Sequence, residues 1–462
     1  MSSAPLAIPG APPPSKLRLA LRGQATPLRM RRQLWAACGL AAVLFFVGEG
    51  ALDGARTAMK TVGKDTAPSI LAAQEISSAL ADLDANAGNY LLGHEKRHQA
   101  AAAETFEKQR RELTLHLVDA ARNITYGDAE KVPIQQMMEG LGRYLEMIGE
   151  SRYRKDTGDD AGAVKVYAAA SDMMHQQMLK AADKLDQANR AHLDREYKDH
   201  QAVAGLAAVG AGAVGGVLAL GLFLAQAFLT RRTRRRLNLP LLGATAIAVV
   251  YTIYLVTRIA AAREDLKVAT EDAFESIHLL WQARSIAYDA NGDETRYLLG
   301  DRAAAFERDY NDKIAKLTTM PHLGVGSLSM SKLPPGFTGL FAKELSNITF
   351  KGEHDAAVAM VVAFGKYQTI DEQIRSLERA GKHDRAVDLC IGTGSDQSNA
   401  AFDRFDRALR AVVDINRKEF DAIIERGTAE LNLATALGPL ASLAIAVLAL
   451  LGFRPRLREY AA

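Results

Sequence analysis

The chain has 462 residues, 48% of them hydrophobic, 24% charged and 6% aromatic, with a formal net charge of +3. So few aromatic residues beside abundant Ala, Leu and Arg suit long helices better than β-sandwiches. Two cysteines, Cys38 and Cys390, exclude a disulfide framework and a Cys-rich metal site.

The charge is sorted along the chain. Residues 1–33 hold Lys16, Arg18, Arg22, Arg29, Arg31 and Arg32 without an acid, and Pro5, Pro9, Pro12, Pro13 and Pro14 mark this basic tail as disordered. An apolar run at 34–52 approaches the ~20 residues that a spanning helix needs. Its Leu34–Val47 part has the length of a cleaved signal peptide. The long leader and the repeat described below favour a retained anchor.

Residues 53–201 are polar and helical in pattern. A second apolar run covers 202–229 and contains Gly212-x-x-x-Gly216, a spacing of small residues that lets spans approach closely. The loop 230–238 carries Arg231, Arg232, Arg234, Arg235 and Arg236 and no acid. Between two spans such a run reads as a topological and lipid-headgroup feature, with membrane lipids and no nucleic acid as its partner. A third run covers 239–262, a second polar segment 263–432, and a fourth run 433–453. The tail 454–462 holds Arg454, Arg456 and Arg458 against Glu459.

By the positive-inside rule the two tails and the Arg loop are cytoplasmic. Residues 52–201 carry 20 basic and 24 acidic side chains and residues 261–430 carry 22 and 28, so both polar segments belong outside. The expected protein is therefore all-α, a multi-pass cell-membrane protein with four transmembrane helices, cytoplasmic termini and two extracytoplasmic four-helix bundles.

The two outer segments are copies of one design. Tyr90-Leu91-Leu92-Gly93 recurs as Tyr297-Leu298-Leu299-Gly300, an offset of 207. Gly142-Arg143-Tyr144 matches Gly365-Lys366-Tyr367 at 223, and Ser171-Asp172 matches Ser395-Asp396 at 224. The step from 207 to 223 marks a 16-residue insertion around 321–338 of the second copy. In each copy a helix leaves a span and stops at Gly93 or Gly300. Two middle helices follow, 96–122 and 134–155 in the first copy. After Gly158-Asp159-Asp160 a last helix returns to the membrane. The two outer helices come out equally long, roughly 63 Å at 1.5 Å per residue, as an up-down-up-down bundle requires.

Helices continuous with spans on both sides, and a Gly-Asp turn followed by Ala (Gly158-Asp159-Asp160-Ala161), resemble the four-helix-bundle sensor domains of bacterial chemoreceptors. The cytoplasmic side departs from that family: no HAMP-like segment, signalling coiled coil or kinase domain follows Phe453. Two such bundles on four spans, with paired Tyr-Leu-Leu-Gly turns and no output domain, resemble the GlnX family of actinobacterial membrane proteins. That resemblance implies a sensor working with an extracytoplasmic amino-acid-binding lipoprotein and a cytoplasmic Ser/Thr protein kinase, reading external glutamate or aspartate. The alternative is a scaffold of the cell envelope with no ligand-driven signal.

No motif in the chain calls for catalysis or a cofactor. His94-Glu95-Lys96-Arg97-His98 fits the H-E-x-x-H pattern of zinc proteases. It follows a glycine at a helix start, lacks an apolar flank and has no counterpart in the second copy, so it reads as a solvated helix start. His116, His175, His192 and His200 read as scattered surface residues, and Cys390 as a small buried hydrophobe. Asn123-Ile124-Thr125 and Asn347-Ile348-Thr349 match the glycosylation acceptor pattern without a role for it here. No ionisable residue sits mid-span, which counts against transport. The candidates for partner contact are Tyr90, Gly93, Tyr297 and Gly300 at the distal turns, where the alternative is a staple of the turn, and the five arginines of 230–238. The glycines of the second span leave room for a homodimer.

Overall fold

The computed structural model describes residues 16–233, 237–300, 303–319, 333–392 and 394–459. All regular structure among them is helical. The helices are α1 (Lys16–Lys60), α2 (Ala67–Leu92), α3 (Lys96–Arg122), α4 (Asp128–Asp156), α5 (Asp160–Met173) and α6 (Leu179–Thr233). The second half holds α7 (Leu239–Lys267), α8 (Glu275–Leu298), α9 (Ala303–Leu317), α10 (Leu340–Ser346), α11 (Glu353–Arg379), α12 (His383–Ile391) and α13 (Ser398–Arg458). Short π-helical turns at Thr61–Thr66, Met174–Met178 and Val268–Phe274 join α1 to α2, α5 to α6 and α7 to α8.

Helix α1 begins at Lys16, which corrects the expectation of a tail disordered to residue 33. Residues 16–26 are free of proline and rich in Leu, Ala and Arg, all good helix formers, and the helix carries Pro27 inside it. The rest of that tail, residues 1–15, lies outside the described residues, as does most of the 321–338 insertion. Helix α4 starts at Asp128, six residues before the expected start, because the left-handed turn at Gly127 (φ 65°) and the carboxylate of Glu130 set it up ahead of Pro133.

The chain divides into two compact units. The first comprises Met1–Thr57, His200–Arg263 and Thr428–Ala462. It holds the apolar parts of four helices long and apolar enough to cross a membrane. Trp35, Phe46, Leu206, Val209, Leu239 and Leu440 stand more than half exposed there, as side chains facing lipid would. Other side chains of the same helices are packed inside, Leu44, Leu218, Leu241, Leu255 and Phe453 among them, and glycines allow close approach at some contacts. A Cβ on Gly215 would collide with the Thr252 side chain of α7, and one on Gly212 would touch Val256, whereas Gly210, Gly216 and Gly221 face open space. The Gly212-x-x-x-Gly216 motif is thus used through Gly212 and the neighbouring Gly215. Arg258 pairs with Glu430 at 2.5 Å and Asn238 donates to the Gly452 carbonyl at 2.9 Å, so polar groups tie α7 to α13 at each end of their contact.

The second unit comprises Ala58–Asp199 and Glu264–Gly427, so both outer segments share one compact body. Matched positions make matched contacts. The π-turns at Thr61 and Val268 begin 207 residues apart. Asn123 donates to Ser69 and Asn347 to Ser276, at 3.0 and 2.9 Å. Glu130 accepts from the backbone N–H groups of Thr125 and Tyr126, and Glu353 from those of Thr349 and Phe350. The two Asn-Ile-Thr sequences are therefore repeated helix-connection motifs. The fillings differ. Met137, Tyr144, Tyr167, Met174 and Met178 pack the first copy. The second is packed by Phe341, Phe364, Tyr367, Phe402 and Phe405, with ring centroids about 5–6 Å apart. In the second copy the returning helix is interrupted between α12 and α13. The step in offset from 223 to 224 falls there, beside Gly392 and Gly394.

Candidate functional site

Helices α2 and α8 are the first helices of the two copies, and they pack against each other side by side and parallel. Ser77 meets Ser285 at 2.7 Å, and further along Asn89 accepts from the Thr295 hydroxyl at 2.7 Å. Both helices bury polar residues on nearly every face: Gln74, Ser77, Ser78, Asp82, Asp84, Asn86 and Asn89 on α2, and His278, Arg284, Asn291, Asp293, Glu294 and Arg296 on α8. Buried polar groups cost several kcal/mol each unless paired, so a helix buried this way has partners that dictate its place.

The densest set surrounds Arg296, which is 3% exposed. Its guanidinium reaches Asp84 of the first copy at 2.6 Å, and Asp293 and Asp289 of its own helix at 2.6 and 3.0 Å. Lys313 of α9 closes on Asp293 and Asp289 at 2.5 and 2.9 Å, and His175 meets Asp289 at 2.7 Å. The remaining valences of Asp84 are taken by Ser171 at 2.7 Å and Tyr144 at 3.0 Å. Three carboxylates thus face Arg296, Lys313 and His175, and the cluster is neutral when His175 is protonated. Burial opposes the imidazolium, but Asp289 outweighs it and raises the His175 pKa. Burial likewise opposes the Asp289 carboxylate, yet Lys313 and His175 hold it well below the usual range.

A second buried set lies inside the second copy. Asp371 pairs with Arg375 at 2.8 Å, and the guanidinium stacks over Tyr310 at 4.3 Å and Tyr297 at 4.7 Å. Burial and the nearby Asp371 push Glu294 up to about 8, with Ser398 as its hydrogen-bond donor at 3.1 Å. Cys390 is 1% exposed and its thiol is pushed up by burial and by Glu294. The first copy repeats the stacking alone: Arg152 lies 5.0 Å over Tyr90 and 4.1 Å over Phe106.

The distal tyrosines are therefore packed against arginines. Tyr90 is half-buried and donates to Asp156 at 2.8 Å, whereas Tyr297 is 7% exposed. Gly300 takes φ 81°, and Gly93 keeps an ordinary φ of −63°, its carbonyl accepting from Gln99 at 2.9 Å. Of the Arg-rich loop, Arg231 is exposed on the last turns of α6 and Arg232 is helical, while Arg234, Arg235 and Arg236 lie outside the described residues. In the H-E-x-x-H sequence, helix α3 starts only at Lys96, so His94 precedes it and shares no helical face with His98. Among the described residues no group of three or more His, Cys, Asp or Glu is arranged to hold a metal.

His175 and His98, which the sequence pattern reads as a surface residue and as part of a solvated helix start, are both drawn into the interior. His175 enters the Arg296 cluster. His98, 8% exposed, lines a cavity of about 220 Å³ between α2, α3 and the start of α13, together with Asn86, Asn89, Thr105, Asn399 and Asp403. Two central helices with polar residues all round were the available signal.

Residues 58–198, most of the first copy, match the family model described as an actinobacterial sensor domain. No curated protein and no solved structure matches the chain.

Proposed function

We propose that this chain is a membrane sensor that reads an extracytoplasmic amino-acid signal of the glutamate or aspartate type. A binding lipoprotein delivers the signal, and a cytoplasmic Ser/Thr protein kinase pathway receives it. The observation that carries the sensing role is the match of residues 58–198 to an actinobacterial sensor domain, in a chain with four helices able to cross a membrane. The sorting of basic residues supports placing the sensor domain outside and both tails and the Arg loop inside. In this reading the chain acts through partners and not by catalysis of its own.

Buried charge at the contact of the two copies supports a switching role. A cluster whose partners come from α2, α5, α8 and α9 favours one arrangement of those helices, and shifts of one to two ångströms between packed helices are a known switching mode. The test is co-purification of the full chain, in nanodiscs, with a candidate amino-acid-binding lipoprotein in the presence and absence of glutamate. It is paired with kinase-substrate phosphorylation in cells with and without the chain. Glutamate-dependent capture and a changed phosphorylation level support the relay. Capture of no lipoprotein with unchanged phosphorylation overturns it in favour of a scaffold.

A further inference from the structure

The repeat relates the Arg296 cluster to a second place in the same unit. Moving each α8 residue back by 207 converts Asp289 into Asp82, Asp293 into Asn86 and Arg296 into Asn89, and moving His175 forward by 224 gives Asn399. Three of these four residues, Asn86, Asn89 and Asn399, line the 220 Å³ cavity. One copy of the site is thus filled by a guanidinium and an imidazole, and its counterpart has lost both and stands hollow. The space equals about seven waters, below the 300–1,000 Å³ of drug-sized pockets, and suits a molecule of amino-acid size.

Of the three carboxylates one keeps its counterpart: Asp289 corresponds to Asp82, whereas Asp293 corresponds to Asn86 and Asp84 to Asn291. Asp82 is 9% exposed behind Asn86, whose amide donates to it at 2.7 Å, and Asp403 stands at the rim. Among the described residues neither has an ion pair. Arg284 is engaged by Asp406 at 2.6 Å, Arg410 by Asp406 at 2.9 Å, and Arg404 by the Ser395 carbonyl. Partial burial and the neighbouring Asp406 raise the Asp403 pKa against the pull of Arg407, Arg404 and Arg410. Burial pushes Asp82 up to about 7 against the pull of Arg284. The place of a cation is open.

We propose that this cavity binds the ammonium group of a small amine or amino acid, in the position that Arg296 occupies in the other copy. Asp403 supplies the counter-charge, and the amide oxygens of Asn86 and Asn399 and the Thr105 hydroxyl are the available acceptors. His98 in the lining can donate to a carboxylate where the ligand has one. The proposal goes beyond the relay reading, since it needs neither lipoprotein nor kinase.

The experiment is thermal unfolding of the full chain in detergent with ethylamine, with glycine, glutamate and aspartate, and with acetate. Ligands that bind only the folded state raise the melting point by mass action. Ammonium-bearing compounds should raise it saturably and acetate should not; ethylamine against the amino acids separates a plain amine site from one that also uses His98. Asn89→Arg, which copies the other site's own residue, should abolish the response while the chain still melts cooperatively. Asp403→Asn should weaken it at least tenfold, and it carries the test if the arginine variant fails to fold. No shift with any ammonium compound, a shift with acetate alone, or an undiminished response in Asn89→Arg or Asp403→Asn overturns the proposal. Lipoprotein capture is untouched by any of these results.

Discussion

The hydroxyl oxygens of Ser77 and Ser285 lie 2.7 Å apart, although 208 residues separate them in the chain. That separation is within one residue of the repeat offset, so each copy presents the same point of its first helix to the other. Nearly matched positions of the two first helices thus meet, as they do where identical subunits pair.

Arg296 ties this pairing together. Arg296→Ala leaves Asp84, Asp289 and Asp293 buried with Lys313 and His175 alone, and removing one partner of a buried ion pair costs about 3–5 kcal/mol. The full chain in detergent should melt markedly lower. Adding Asp84→Asn should recover part of the loss, because the two residues share one network. Strictly additive losses in the double variant would show that they do not act together.

Stability should fall from mildly acidic to alkaline pH. Asp82, held at about 7, and Glu294, at about 8, bind protons in the folded state that the unfolded chain has released. Glu344, raised to about 8 by burial and by Glu353, does the same, and so does His175 with its raised pKa. A group with a raised folded pKa stabilises fully below its unfolded value and loses that contribution as pH rises through the folded one. The window thus runs from about pH 4 to above 8. Asp289 has the opposite sign, and its contribution is lost only in strong acid. Melting curves should give a higher midpoint at pH 5 than at pH 8, by several degrees, with Asp82→Asn reducing the difference.

The turn after α8 depends on Gly300, whose φ of 81° costs an L side chain about 1–2 kcal/mol. Gly300→Ala should lower the melting midpoint by a few degrees. An unchanged midpoint would mean that the turn relaxes to another conformation.

Within the spans, Gly215→Leu should disrupt the contact with Thr252 and reduce the yield of folded protein, while Gly216→Leu should be tolerated. Equal loss from both would place another surface against Gly216.

Much of this architecture could be read from residue order. Apolar length gave the four spans, and Gly158 and Gly300, both with positive φ, mark breaks that the pattern placed correctly. The offset of 207 was visible in Tyr-Leu-Leu-Gly and governs the contact of α2 with α8. The buried charge was not legible. Asp84, Asp293 and Arg296 look like any solvated face until the second copy is packed on the first, since their partners come from distant helices. In sequence His175 looks like a surface residue for the same reason: its counter-ion Asp289 is 114 positions away. The early start of α1 is hidden in sequence because basic residues next to prolines suggest an open chain, although its own Leu and Ala favour a helix.

A symmetric dimer built from one gene must carry every substitution twice. If an arginine closes one side of its interface, the same arginine closes the other. Joining the two halves in a single chain removes that constraint. One half here keeps Arg296 among three aspartates, and the other has Asn89 at the matching position and a hollow beside it. Fusion lets a protein hold one lobe shut as a fixed pivot and leave its twin free to answer the surroundings, a division of labour that no homodimer can encode.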